Sequence, residues 1–168
     1  WSLLREILVE HRKNVASQLS ANALSVPNLL TSELEGMMHG FIDLIFEHEG
    51  KYYVADYKST WLGDSVGHYT PSVLFENNQH HLYDLQYLIY SVALHRYLQN
   101  TLPDYTPEQH FGGVYYLYLR GMHPDNKNEE GVFYTSLSLS VLRRLDAVFS
   151  GNVTNTSSPE QQQFSFDD

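Results

Sequence analysis

GFIDLIFEHEGKYYVADYKST, residues 40–60, is the stretch on which the fold turns. GFIDLIF and KYYVADYK are each about strand length and rich in β-branched and aromatic residues. Between them lies His48-Glu49-Gly50-Lys51, where glycine supplies the backbone freedom of a tight turn. The pattern predicts a β-hairpin with an Asp in its first strand and an Asp-x-Lys in its second. A two-residue loop at Glu49-Gly50 pairs residues whose numbers sum to 99, which sets Asp43 opposite Asp56. Their Cβ atoms are then expected about 4.5–5.5 Å apart. Lys58 lies two residues beyond Asp56 and falls on the same face. Opposed like charges destabilise a sheet, and Asp is a poor strand residue, so a cation between the two carboxylates is expected to offset the cost. Carboxylate oxygens with positions left open for water and phosphate suit Mg²⁺, with Mn²⁺ as a substitute.

Downstream, WLGDSVGHYTPSVLFENN (61–78) is rich in turn formers and reads as a loop placed to cover a substrate. Trp61 and Tyr69 are its aromatics, either stacking on a base or anchoring the loop to the core. From Gln79 to about Asn100 the spacing predicts one long helix with Leu82, Leu85, Leu88, Ile89, Val92, Ala93 and Tyr97 as its apolar stripe. Gln86 and Tyr90, four apart, share a face of it. HFGGVYYLYLRGM, apolar on both faces, reads as a central strand. GVFYTSLS reads as a further strand, and residues 137–149 as a closing helix stopped by Gly151.

Upstream, residues 2–20 form an amphipathic helix with Leu3, Leu4, Ile7, Leu8, Val15 and Leu19 near one face. Arg5, Arg12 and Lys13 are read as its solvated side. Glu33 and Glu35, in the segment leading to the hairpin, are candidates for an additional acidic ligand. The order of elements predicts an α/β domain, a mixed sheet flanked by helices. Residues 1–150 are expected to form it, with 151–168 a polar, flexible tail.

Composition bounds the function. The 168 residues contain no Cys, which excludes disulfides and thiolate metal sites and fits a reducing, cytoplasmic setting. No run reaches membrane-spanning length and no signal peptide is visible. The chain opens on Trp1, so a fragment of a longer protein is expected. Nine His invite a transition metal, but no H-E-x-x-H pair occurs and most are read as surface residues. The net charge of −10 counts against a free-standing DNA-binding protein; other domains would have to supply the grip.

GMMHGFIDLIFEHEGKYYVADYKSTWLG, HHLYDLQYLIYSVALHRYL and FGGVYYLYLRGM together resemble the RecB-type nuclease domains of bacterial helicase–nucleases, in the PD-(D/E)xK superfamily. The resemblance covers most of residues 36–122. It implies a restriction-endonuclease-like core and Mg²⁺-dependent hydrolysis of DNA, in break repair and in degradation of linear DNA. Asp43, Asp56 and the backbone carbonyl of Tyr57 are then the metal ligands, and Lys58 positions or activates the attacking water. Gln86 and Tyr90 match a Gln-x-x-x-Tyr that borders the active site, for DNA contact or water positioning. The family takes a further metal-binding His from a G-x-x-x-H motif upstream; this chain has none in order before Asp43, since His11 and His39 lack its context. A fragment without that ligand is expected to bind metal weakly. The implied partners are single-stranded DNA ends, RecC, RecD and the RecA recombinase, with ATP serving only a helicase part outside these residues. The alternatives are a docking module that recruits RecA, or another nuclease of the superfamily. A Cas4-like enzyme is disfavoured by the lack of cysteines for its iron–sulfur cluster.

Overall fold

The computed structural model describes residues 1–28 and 40–151. Glu33, Glu35 and the tail beyond Gly151 lie outside the described residues. Helix α1 (Ser2–Leu19) leads to the hairpin β1 (Leu44–His48) and β2 (Lys51–Lys58). A 3₁₀ turn (Val66–Tyr69), α2 (Pro71–His80), α3 (Tyr83–Thr101), the short α4 (Pro107–His110), β3 (Phe111–Tyr118), β4 (Val132–Thr135) and α5 (Leu139–Phe149) follow. The sheet runs β1-β2-β3-β4, with β2 and β3 parallel and both outer pairings antiparallel. It is thus the mixed α/β sheet that the sequence predicts, with β2 and β3 in its middle.

The hairpin register is the predicted one. Leu44 pairs with Ala55 and His48 with Lys51, around a two-residue turn. Glu49 (φ 51°) and Gly50 (φ 77°) are both left-handed, the geometry that a type I′ turn needs to match strand twist. The first strand begins later than expected, however. Asp43 stands in a bend just before β1 and not in the ladder.

The two sheet faces differ. Val54, Val114, Tyr116, Tyr118 and Phe133 are fully buried under the helices, in one core with Leu85, Leu88, Phe75 and Leu142. The other face carries a row of aromatics. Phe46 stacks on Tyr53 (5.0 Å between centroids), Tyr53 lies 5.7 Å from Tyr115, and Tyr115 4.8 Å from Tyr134. These rings lie down over Gly112 and Gly113, where the β2–β3 register shifts. A Cβ on Gly112 would fall 2.3 Å from the Tyr53 ring, and one on Gly113 2.6 Å from the Thr135 carbonyl. The Gly-Gly pair is what lets an aromatic sheet surface close on itself.

Four expectations are corrected. Residues 71–80 are helical, so the covering loop is shorter than expected. The helix predicted from Gln79 is interrupted near its start: Gln79 and His80 close α2, and Leu82 takes a left-handed φ of 55° before α3 starts. That conformation costs a non-glycine residue about 1–2 kcal/mol. On α3, Leu85, Leu88 and Val92 are buried as expected, but Tyr97 is 56% exposed, and Asp84, Ser91 and His95 are inside. Finally, Arg12 is not solvated. Its side chain is 1% exposed and pairs with the equally buried Asp84, Nε to Oδ2 at 2.5 Å. Its remaining N–H groups donate to the carbonyls of Leu24, Ser25 and Gln79. Burial of a charge so deep is sustainable only with its donors satisfied in this way. His11 beside it is also buried, in a 2.8 Å hydrogen bond with Tyr87.

Candidate active site

β2 alternates, so Val54, Asp56 and Lys58 all point to the helix-covered side. Val54 enters the core there. Asp56 and Lys58, one and two steps on, reach the edge of it where α3 begins. Asp56 is 5% exposed. Its carboxylate accepts from Lys58 Nζ at 2.7 Å. Burial raises the Asp56 pKa above the usual carboxylate range, Lys58 opposes that shift, and the charge of Asp43 adds to it. The influence of Asp43 on Asp56 is the like-charge opposition that the hairpin register anticipated.

Asp43 reaches the site from the bend before β1. Its Oδ2 accepts the Tyr57 backbone N–H at 3.0 Å. This ties the exposed carboxylate to the peptide group adjoining Asp56, on the strand that also carries Lys58. Asp43, Asp56 and Tyr57 are therefore brought to one end of the hairpin.

Lys58 Nζ has three partners for its three N–H bonds. Besides Asp56, it donates to Gln86 Oε1 at 3.2 Å, and it sits over the Tyr83 ring, 3.6 Å from the centroid. The Tyr116 ring is 4.7 Å away. Gln86 connects this group to Asp43's side. Its Oε1 accepts from Lys58 and from the Tyr116 hydroxyl (2.6 Å), which fixes the amide orientation because both neighbours are donors. Its Nε2 then donates to the Tyr90 oxygen at 3.0 Å, and the Tyr90 O–H donates to the Phe41 carbonyl at 2.8 Å. Phe41 is two residues before Asp43. A single directional chain thus runs from Tyr116 and Lys58 through Gln86 and Tyr90 to the segment that presents Asp43. Tyr90 is 4% exposed, and burial raises its hydroxyl pKa; Tyr116 is fully buried and its hydroxyl is raised further by burial, so both remain donors.

The sequence-derived catalytic, metal-binding and Gln-x-x-x-Tyr candidates meet at this place: Asp43, Asp56, Tyr57, Lys58, Gln86 and Tyr90. Tyr83 and Tyr116 are additional. Tyr83 stands three residues before Gln86 on the same helix face, a spacing visible in the sequence. Tyr116 is on the buried face of β3, which only the β2–β3 pairing aligns with Asp56. Trp61 is 62% exposed, while Tyr69 is buried with its hydroxyl accepting the Leu62 N–H at 3.0 Å, so Tyr69 anchors its loop.

As a cation site, the protein offers two carboxylates and the Tyr57 carbonyl. Among the described residues no group of three or more His, Cys, Asp or Glu converges. A hard oxygen set with several positions left to water and phosphate fits Mg²⁺ or Mn²⁺ and not a closed transition-metal site. Arg12, Arg96, Arg143 and Arg144 are each committed to a carboxylate. Among the described residues no helix is long and apolar enough to cross a membrane.

No family model matches the chain. Individual proteins do. The chain is 45% identical over 125 residues to the RecBCD enzyme subunit RecB of Escherichia coli, an alignment spanning 74% of this chain and 10% of that protein. It is 47% identical over 122 residues to RecB of Haemophilus influenzae, again spanning 73% of this chain and 10% of the relative. With RecB of Mycobacterium tuberculosis it shares 42% identity over 103 residues, 61% of this chain. The chain spans about a tenth of the length of these relatives. It belongs to the RecB family, as a homologue of one segment of that much longer subunit.

Proposed function

We propose that this chain is the nuclease domain of a RecBCD-type helicase–nuclease, an exodeoxyribonuclease V-type hydrolase that cleaves DNA phosphodiesters with Mg²⁺. The observation that carries this reading is the Lys58 ammonium. It is nearly enclosed, held in place from three sides, and set against the carboxylate of Asp56 at the mouth of an acidic pair. A surface salt bridge needs no such housing; a group that must meet developing negative charge at a fixed point does.

Asp43 and Asp56, with the Tyr57 carbonyl, would hold the cation, which when bound acidifies a water and neutralises charge at the scissile phosphate. The chain's own residues do the rest. Lys58 donates to the water or to a phosphate oxygen, and its charge stabilises the negative charge that builds up there. Gln86 keeps Lys58 from collapsing wholly onto Asp56 by offering it a second acceptor. Tyr90 holds the backbone at Phe41, and so the approach of Asp43. RecC, RecD and single-stranded DNA ends would then be its partners, and ATP would serve a helicase part elsewhere.

The test uses the full-length polypeptide in its complex. Lys58→Ala should abolish DNA cleavage and leave DNA-stimulated ATPase and unwinding intact. Cleavage at the wild-type rate by that variant would remove Lys58, and with it this reading. A second reading, docking of the RecA recombinase, is favoured by the net charge of −10 and by the arginines already paired. It predicts that RecA recruitment survives in Lys58→Ala and is lost on charge reversal of the acidic surface.

A further inference from the structure

The break between α2 and α3 is unusual in its chemistry. Leu82 occupies a left-handed conformation (φ 55°, ψ 26°) at the N-terminal cap of α3, with no glycine or asparagine to relieve it. Local structure does not require this. The sequence spacing predicts a helix that runs uninterrupted through this point, from Gln79 to about Asn100. Strain held at one residue is maintained by what it positions. Here it brings Tyr83, the first residue of α3, over Lys58. The Tyr83 ring centroid lies 3.6 Å from Lys58 Nζ. The ring is fixed from two further sides, by His81 (centroids 5.3 Å, 23° between planes) and by Tyr116 (5.9 Å).

The Lys58 side chain is 11% exposed, so its ammonium has lost most of its hydration. An ammonium carries three N–H donors and leaves none unused in a buried setting without cost. Asp56 and Gln86 take two. The face of Tyr83, where the ring quadrupole is negative, takes the third direction. The three partners are not equivalent. Asp56 is also the carboxylate assigned above to a cation, and Gln86 Oε1 is shared with the Tyr116 hydroxyl. Tyr83 is the nearer of the two rings that face the ammonium, and neither a cation nor a shared hydrogen bond draws on its face.

We infer that Tyr83 is a positioning residue for cleavage: its ring face seats the Lys58 ammonium, and the strained turn at Leu82 exists to deliver that ring. This rests on the reading of Lys58 as the catalytic cation. Tyr83 acts through Lys58 and touches no reacting atom. The feature that matters is the electron-rich face and not the hydroxyl or the volume. Phe should therefore substitute fully, and fluorination of the ring, which drains the face while barely changing its size, should not.

The experiment places Phe, then mono-, di- and trifluorophenylalanine, at position 83 of the full-length protein in its complex. Two quantities are read: steady-state cleavage of single-stranded DNA, and, without added metal, the acetylation rate of Lys58 by peptide mapping. Along the series kcat should fall stepwise by about two- to thirtyfold overall with KM unchanged. That span is the 0.5–2 kcal/mol of a cation–π contact converted at 1.36 kcal/mol per factor of ten. Lys58 acetylation should rise in the same order while the melting temperature stays constant. A flat kcat and a flat acetylation rate across the series, with Lys58→Ala inactive, would overturn the role of Tyr83 and leave the nuclease reading standing. Lys58→Ala that cleaves normally would overturn both. Tyr83→Phe with a large loss of kcat would also refute the inference, since it would assign the role to the hydroxyl.

Discussion

Replacing Arg12 by Met tests the packing of the domain most severely. Arg12 is buried and makes two hydrogen bonds to Asp84 and three to backbone carbonyls. Met fills much of the same volume, so the cavity contribution is small. What remains is a carboxylate, 0% exposed, without its counter-ion. Breaking a buried pair from one side costs about 3–5 kcal/mol. For a domain of this size that corresponds to roughly 6–20 °C in melting temperature. The pH dependence carries its own sign. Burial already raises the Asp84 pKa, with Arg12 opposing it, so removing Arg12 raises it further. A carboxyl with a folded pKa above its unfolded value favours folding below the unfolded value, and loses that contribution as pH rises through the folded one. The deficit of Arg12→Met should therefore be large at pH 7 and shrink as pH falls toward 5. Relief of His11, whose pKa Arg12 also lowers, acts in the same direction. Adding Asp84→Asn should recover much of the loss at pH 7, leaving the cost of the orphaned carbonyls. Urea denaturation of the wild type, the single and the double variant at pH 5 and 7 gives the comparison. A loss under about 1 kcal/mol, or one independent of pH and unrelieved by Asp84→Asn, would refute the account, because 3–5 kcal/mol is what an uncompensated buried charge requires.

His11, buried against Tyr87, has its pKa lowered to about 4, mainly by burial. The unfolded chain takes up a proton first as pH falls below about 6.5, so stability should drop by roughly 3 kcal/mol between there and pH 4; His11→Asn should flatten that limb in equilibrium unfolding. Gly112→Ala should cost about 1–3 kcal/mol by driving a methyl into the Tyr53 ring, and Tyr53→Ala in the same chain should remove most of that increment in a double-mutant cycle. Mn²⁺ at a hundred times its Kd should stabilise the chain by about 2.7 kcal/mol, with Asp43→Ala and Asp56→Ala each abolishing the gain in thermal melts; an unchanged gain would move the cation elsewhere on this acidic surface. Tyr90→Phe removes the bond to the Phe41 carbonyl and should lower cleavage through a looser Asp43 while leaving the melting temperature within a few degrees, as read by kinetics and thermal melts side by side.

What the sequence determined by itself is local. The register that opposes Asp43 and Asp56 follows from a two-residue turn and a side-chain period of two, both readable within twenty residues. The same period sets Lys58 beside Asp56, and a spacing of four sets Gln86 with Tyr90. FGGVYYLY was legible as a central strand because no polar face interrupts it. Tertiary structure decided the rest, wherever partners lie far apart in the chain or a conformation has no residue-type signal. Arg12 looked solvated because its partner Asp84 is 72 residues away, and a charged residue reads as exposed until its counter-charge is placed. The break at Leu82 was invisible because leucine does not advertise a left-handed conformation; only packing sustains it. Asp43 stands in a bend and not in the strand, and its side-chain carboxylate, not a backbone carbonyl, accepts the Tyr57 N–H across the hairpin. The seat of Lys58 between Tyr83 and Tyr116 required β3 to align in parallel with β2 and α3 to start where it does. Neither is written in the spacing of those tyrosines, because both are set by how the elements pack.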